Sequence, residues 1–251
     1  MKDNWDIDEN IKDKYIKKCK LFVEKDEAFI NFRQDYDYGK ILEGNDRDIG
    51  AIALNEMTQH NGLNFIIENT PEFIKNDKIG NPQTYYLEII DQAIAAATLR
   101  YINTAWEIMH LLGEFKPKRI LEIGGGYGGL CRILSVLYDF KEYTNKDLPE
   151  AEALFNKYIS YFPELDGRIN NKIKGKYDLF IADSSLSECD KPTQLSYIEM
   201  AKSCEYIYLT YNTTHKPKYL VLKDKILKEL DSYEIVKRPS SFSNTFLMRK
   251  K

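Results

Sequence analysis

Leu121-Glu122-Ile123-Gly124-Gly125-Gly126-Tyr127-Gly128-Gly129-Leu130 is the stretch on which the reading of this chain turns. Arg119 to Ile123 has the short apolar character of a buried strand, and from Leu130 to Tyr138 the apolar residues recur at helical spacing. Between them lies a turn made almost wholly of glycine. A backbone that reverses sharply and comes close to a ligand needs positive φ and no Cβ, and glycine supplies both. The helix that follows presents unpaired N–H groups above the turn, so strand, turn and helix together predict a nucleotide site.

Two spacings are satisfied at once. Gly124, Gly126 and Gly129 match the G-x-G-x-x-G pattern of dinucleotide-binding folds, while Glu122, Gly124, Gly126 and Gly128 match the E-x-G-x-G-x-G pattern of S-adenosylmethionine (SAM) methyltransferases. The glycines alone do not separate the two. Glu122 favours the second, because an acidic group at the strand's end suits a ligand with a cationic amino acid portion and opposes a pyrophosphate. Asp147 follows roughly twenty residues after the turn, where a second strand ends and a carboxylate accepts both ribose hydroxyls; it supports adenosine in either class.

With 251 residues and 43% apolar content, the chain can bury a core as one large domain or as a catalytic domain with an appendage. Its net charge of −3, with both signs mixed throughout, offers no basic field for nucleic acid or an anionic membrane. No apolar run approaches the roughly twenty residues that span a bilayer. The first residues, Met1 to Asp6, lack the apolar segment of a secretory signal, so a cytoplasmic protein is expected. Cys19, Cys131, Cys189 and Cys204 form no C-x-x-C pair and are read as reduced, packed thiols.

Residues 1–113 read as helices. Ile11 to Phe32 and Leu63 to Ile74 carry apolar residues at three- and four-residue spacing, and a third helix runs from Gln83 or Thr84 to Leu112, ended by Gly113 and preceded by the break Gly80-Asn81-Pro82. From Lys118 onward strand and helix alternate: strands at Lys141–Lys146, Lys176–Ala182 and Glu205–Tyr211, helices at Pro149–Tyr161, Gln194–Ser203 and Tyr219–Leu230, with a third strand expected near Arg168 to Lys174. Tyr233–Lys237 and Thr245–Arg249 are two strand-like runs with no room for a crossover helix between them. They must pair antiparallel or lie apart, since parallel pairing needs a connection of about a dozen residues. A β/α alternation closing in such a hairpin is the plan of SAM methyltransferases, whereas a dinucleotide dehydrogenase continues with parallel βαβ units.

Gly80-Asn81-Pro82, Leu99-Arg100, Ile120 to Leu130, Asp147-Leu148-Pro149-Glu150, Ser187-Glu188 and Tyr211-Asn212 resemble, in order, the landmarks of the bacterial sugar O-methyltransferase family over roughly residues 80 to 215. The resemblance implies an α/β, Rossmann-like SAM methyltransferase sheet with a terminal antiparallel hairpin, preceded by a helical N-terminal cap. Residues 1–113 would be the cap, serving substrate binding or dimerisation, and residues 114–251 the SAM-binding catalytic domain. The implied activity is transfer of a methyl group from SAM to a hydroxyl of a sugar or nucleotide-activated sugar, in the biosynthesis of a surface polysaccharide such as capsule or lipooligosaccharide. The alternatives are another nucleotide-linked precursor, such as a phosphoramidate, or a noncatalytic binding partner. Two stretches depart from the family: Glu142 to Lys146 is more polar, and Ala182 to Glu188 replaces a more aromatic run, which indicates a substrate pocket of its own.

The expected cofactor contacts are Gly124, Gly126, Tyr127 and Gly128 beneath the amino acid portion, Glu122 behind them, Asp147 at the ribose, Leu148 as an apolar wall, Arg100 at the methionine carboxylate, and Asp183 with Ser184 after the fourth strand. Methyl transfer to a sugar hydroxyl also needs a base at the carboxyl ends of the strands. Glu188 and His215 are the joint candidates for it, the first as a carboxylate raised by desolvation and the second by its ordinary pKa. Asp183 and Asn212 would contact the substrate. Asp183, Asp190 and Asn212 would be the set for a divalent ion, but nothing in their spacing requires one, and a metal-independent site is expected. His60 would belong to a lid, and His110 is expected to be packed or to sit as a cation at a helix end.

Overall fold

The computed structural model describes residues 9–43, 47–211, 218–236 and 245–251. Helices α1 (Glu9–Glu24), α2 (Arg47–Gln59) and α3 (Leu63–Phe73) come first, then a hairpin of β1 (Thr84–Leu87) and β2 (Gln92–Ala95), then helix α4 (Ala96–Leu112). The alternating part follows as β3 (Arg119–Ile123), α5 (Gly129–Leu137), β4 (Glu142–Lys146), α6 (Pro149–Ile159), β5 (Ile169–Asn170), β6 (Leu179–Asp183), α7 (Lys191–Ala201), β7 (Tyr206–Thr210) and α8 (Lys218–Glu229). Strands β8 (Tyr233–Val236) and β9 (Thr245–Lys250) close the chain. The seven-stranded sheet has the order β5-β4-β3-β6-β7-β9-β8, with β9 antiparallel to both β7 and β8 and the pairs among the other five parallel. This is the expected α/β, Rossmann-like sheet with its terminal antiparallel hairpin.

The strands are apolar along their length because both faces of the sheet are covered. Ile120, Leu179, Ile181, Tyr208 and Leu247 face a core shared with α1, α4, α5 and α6. Leu121, Ile123, Phe180, Ala182, Ile207, Leu209 and Met248, one residue out of phase, face α7 and α8. Glu122 has the parity of Ile120 and therefore points into the first layer, beneath the N-terminal helices.

The long helix begins at Ala96 and not at residue 83 or 84. Thr84-Tyr85-Tyr86-Leu87 is β-branched and aromatic, and it pairs with β2 through a turn in which Asp91 takes φ 50°. Asp77 fixes the start of α4 from outside, accepting from the Ala95 N–H at 2.8 Å and from Thr98 Oγ1 at 2.6 Å. The helix read from Ile11 to Phe32 ends at Glu24, followed by a short helix over Asp26–Phe29, and α2 lies in a stretch that the apolar spacing did not mark.

The N-terminal helices are tied to the glycine turn. Arg33 is fully buried, its guanidinium donating to the Asn76 carbonyl at 2.9 Å and to Asp77 Oδ1 at 3.0 Å, and it lies 5.0 Å over the ring of Tyr127. Asn76 Nδ2 in turn donates to the Gly129 carbonyl at 3.0 Å. Breaking a buried pair of this kind leaves an uncompensated charge and costs about 3–5 kcal/mol. No helix among the described residues is long and apolar enough to cross a membrane.

Candidate functional site

At the carboxyl ends of β3, β4 and β6 the chain leaves a cavity of about 250 Å³. Its floor is the glycine turn. Gly124, Gly126 and Gly128 take φ of 75°, 56° and 99°, and a Cβ on Gly124 would overlap the Ser185 side chain, whose hydroxyl donates to the Ile123 carbonyl. The turn is held from β4. The register pairs Ile123 with Lys146, so Gly124 N donates to the Lys146 carbonyl at 2.8 Å, Gly125 N to Asn145 Oδ1 at 3.1 Å and Gly126 N to Asp147 Oδ2 at 3.1 Å. The second oxygen of Asp147 accepts from Leu148 N at 2.7 Å.

These contacts explain the unusual polarity of β4. Glu142 takes a forked pair of bonds from Arg119 at 3.0 and 3.1 Å, the Tyr143 hydroxyl donates to Glu122 Oε2 at 2.8 Å, Asn145 holds the turn, and Lys146 reaches Glu152 at 2.8 Å. Tyr143 and Asn145 hold Glu122 and the turn at the cavity, while Glu142 is paired with Arg119 at the other end of the strand.

Glu122, Gly124, Gly126, Asp147, Asp183, Ser184, Arg100 and Glu188 all line the cavity. Tyr127, Gly128 and Leu148 do not. Tyr127 is fully buried with its ring edge-on to Phe32, Tyr101 and Tyr158, so its side chain docks the turn onto the helices and does not line the cavity. Gly128 caps α5 and backs onto Phe155 and Ile159, and Leu148 is packed into the core at the start of α6. Asn212 and His215 lie outside the described residues. Asp190 caps α7, accepting from Thr193 N at 2.9 Å, and among the described residues no group of three or more His, Cys, Asp or Glu stands together as a metal site. His60 lies 3.9 Å from Glu56 near the end of α2 and lines no part of the cavity.

The roof is contributed by residues to which the sequence patterns did not point: Tyr15 of α1, Lys40, Ile41, Ile49 of α2 and Tyr101 of α4. A second chamber of about 190 Å³ adjoins the first and shares Ile49, Arg100, Asp183 and Ser184 with it. Its other walls are Ala53, Asn103, Thr104 and Glu107 from the helices, with Tyr208, Thr210 and Thr245 from β7 and β9. Asp183, on the partition, takes Arg100 Nη1 and Thr104 Oγ1, each at 3.4 Å, and Ser184 beside it has φ 65°. A non-glycine residue held there stores strain of about 1–3 kcal/mol, a device that clusters at ligand sites.

Burial raises the pKa of Glu122 to about 8, against the bond from Tyr143 that lowers it and with added repulsion from Asp183 and Asp147. Folding therefore takes up a proton between the ordinary carboxylate value of 4.5 and about 8. The stability this contributes is complete below the ordinary value and is lost as pH rises through about 8, by an amount on the order of a few kcal/mol. Thermal unfolding of the parent should show that decline, and Glu122→Gln should flatten it; an equally steep decline in the variant would assign the effect elsewhere.

No protein-family model matches the sequence, and no curated protein matches it. Solved structures similar to this chain include a protein of Methanococcus maripaludis assigned as a SAM-dependent methyltransferase, at 15% identity, covering 76% of this chain and 93% of that one, with a TM-score of 0.47. The ribosomal protein L11 methylase of Lactobacillus delbrueckii subsp. bulgaricus is similar at 14% identity, over 61% of this chain and 80% of that one, with a TM-score of 0.44. The magnesium protoporphyrin IX methyltransferase of Synechocystis PCC 6803, solved with bound SAM, is similar at 15% identity, over 58% of this chain and 74% of that one, with a TM-score of 0.42.

Proposed function

We propose that this chain is a SAM-dependent O-methyltransferase whose acceptor is a hydroxyl of a sugar or nucleotide-activated sugar. The observation that carries the proposal is the pairing of two carboxyl groups with the positive-φ glycine turn, Asp147 across it and Glu122 behind it, at the edge of a cavity that adjoins a second chamber. The side chains present fit the cofactor. Asp147, already oriented by the N–H groups of Gly126 and Leu148, offers acceptors to ribose hydroxyls; Glu122 offers a carboxyl group that an adjacent ammonium would draw into its ionised form; Arg100 offers a cation to the methionine carboxylate; Ile41, Ile49 and Leu130 offer apolar surface. When bound, SAM supplies a methyl group on a sulfonium, an electrophile that needs alignment more than activation.

The protein's remaining task is to orient an acceptor hydroxyl and remove its proton as oxygen bonds to carbon and the carbon–sulfur bond breaks. Asp183 is the proposed proton acceptor, because its carboxylate borders both chambers while Arg100 and Thr104 hold it in place. Glu188 lines only the first chamber of the two, which suits a contact to the cofactor better than one to the acceptor. In this reading the helices of residues 1–113 are a cap whose Tyr15, Ile41 and Ile49 exclude water from the transfer.

S-adenosylhomocysteine (SAH) at a hundred times its Kd should stabilise the protein by about 2.7 kcal/mol, which for a chain of this size raises Tm by roughly 5–10 °C. NAD should not. The proposal is lost if neither SAM nor SAH binds the pure protein in calorimetry.

A further inference from the structure

Building on the methyltransferase reading, we propose that the second chamber holds the acceptor as an uncharged, polyhydroxylated ring, and that Asn103 is a specificity-determining residue for it. Helix α4 is buried nearly all round, yet one line along it is polar: Arg100, Asn103, Thr104 and Glu107, at the spacing that stacks side chains on a single helical face. That face forms one wall of the chamber.

Asn103 is 5% exposed, and its Oδ1 has no hydrogen-bond partner among the described residues. A buried amide oxygen left in that condition is costly, and a ligand hydroxyl in the chamber would complete it. Around it stand groups suited to hydroxyls. Thr210 and Thr245 lie 3.2 Å apart, oxygen to oxygen, on the opposite wall, and the Tyr208 hydroxyl donates to Glu107 at 2.9 Å. Ile49 and Ala53 give the apolar surface against which the C–H face of a ring can lie.

Charge and size narrow the ligand further. Among the described lining residues Arg100 is the one cation, and it already faces Asp183. A phosphoryl group on the ring would meet the carboxylates of Glu107 and Asp183 in a poorly solvated space, where like charges repel strongly. About 190 Å³ is smaller than the first cavity and below the usual range of about 300–1,000 Å³ for ligand sites, a size that suits a single ring with any nucleotide portion outside.

The test offers the full chain SAM together with either methyl glycosides of common hexoses and deoxyhexoses or the corresponding hexose 6-phosphates, and reads transfer by mass spectrometry. Methyl glycosides should gain one methyl group and hexose phosphates none. Asn103→Leu, which keeps the branched shape and removes the polar atoms, should raise KM for the accepted glycoside at least about tenfold, leave the Kd of SAH within about threefold, and melt no lower than the parent because an unsatisfied buried group has been removed. A purely structural role for Asn103 would give the reverse, a lower Tm with an unchanged KM. If Asn103→Leu does not unfold cooperatively, Thr245→Val on the facing wall carries the same comparison. Transfer to hexose phosphates alone, no transfer to any glycoside by a protein that binds SAH, or an unchanged KM in the variant would each overturn the proposal. A parent that fails to bind SAH overturns the cofactor reading itself.

Discussion

Gly124→Ala is expected to lose at least about a hundredfold in affinity for SAH and about 2–5 kcal/mol in stability. Two costs coincide at this position. Its φ of 75° lies in the left-handed region, where an added Cβ costs about 1–2 kcal/mol, and that Cβ would overlap Ser185, whose hydroxyl is bound to the Ile123 carbonyl. Overpacking against a fixed neighbour adds about 1–3 kcal/mol. Relief of the clash has to shift the turn away from Ser185, and that movement changes the shape on which the cofactor would lie. Urea denaturation and calorimetric titration with SAH measure the two effects separately. A variant with parental affinity would mean that the turn does not form the cofactor floor.

Asp183→Asn is expected to lower kcat by about 10² to 10⁴ while leaving the Kd of SAH within about fivefold, the range that general-base removal produces. The amide keeps the size and one acceptor oxygen of the carboxylate but cannot take a proton at neutral pH. The split between kcat and Kd is the informative part. A large loss of SAH affinity with little change in kcat would make Asp183 a cofactor contact, and Glu188→Gln would then be the variant to compare.

The glycine turn was legible because its conformation is a local demand. Positive φ at Gly124, Gly126 and Gly128 is imposed by the chain's reversal between β3 and α5, and only glycine meets it cheaply. The alternation of strands and helices was legible for a related reason, since strands covered on both faces show as short apolar runs. The start of α4 was not. Alanine and leucine give residues 96–112 a strong helical pattern, and the same pattern read backward into Tyr85 to Ala95 hid a hairpin that tertiary contacts with Asp77 secure.

Among the site residues, Tyr127 shows the limit of motif reading. A tyrosine inside a ligand-binding turn suggests a ligand contact, but the turn presents its backbone to the cavity and its side chain to the core, where Arg33 and three aromatic rings receive it. The polar line of Arg100, Asn103, Thr104 and Glu107 was present as a signal. Polar residues at i, i+3, i+4 and i+7 look the same on a solvated face as on a face that lines a chamber, so the spacing alone assigns no role.

By itself the sequence determined the α/β plan, the antiparallel ending, and the position of the glycine turn with Glu122 and Asp147 about it, because each follows from local periodicity or from a backbone conformation that few residues tolerate. Only the tertiary structure decided that Asp183 and Arg100 stand between two chambers, that Asn103 and Glu107 open onto the second, and that α1 and α2 roof the first. Those relations join residues far apart in the chain, and they are settled by which helical face the sheet leaves uncovered. No pattern of nearest neighbours carries that information.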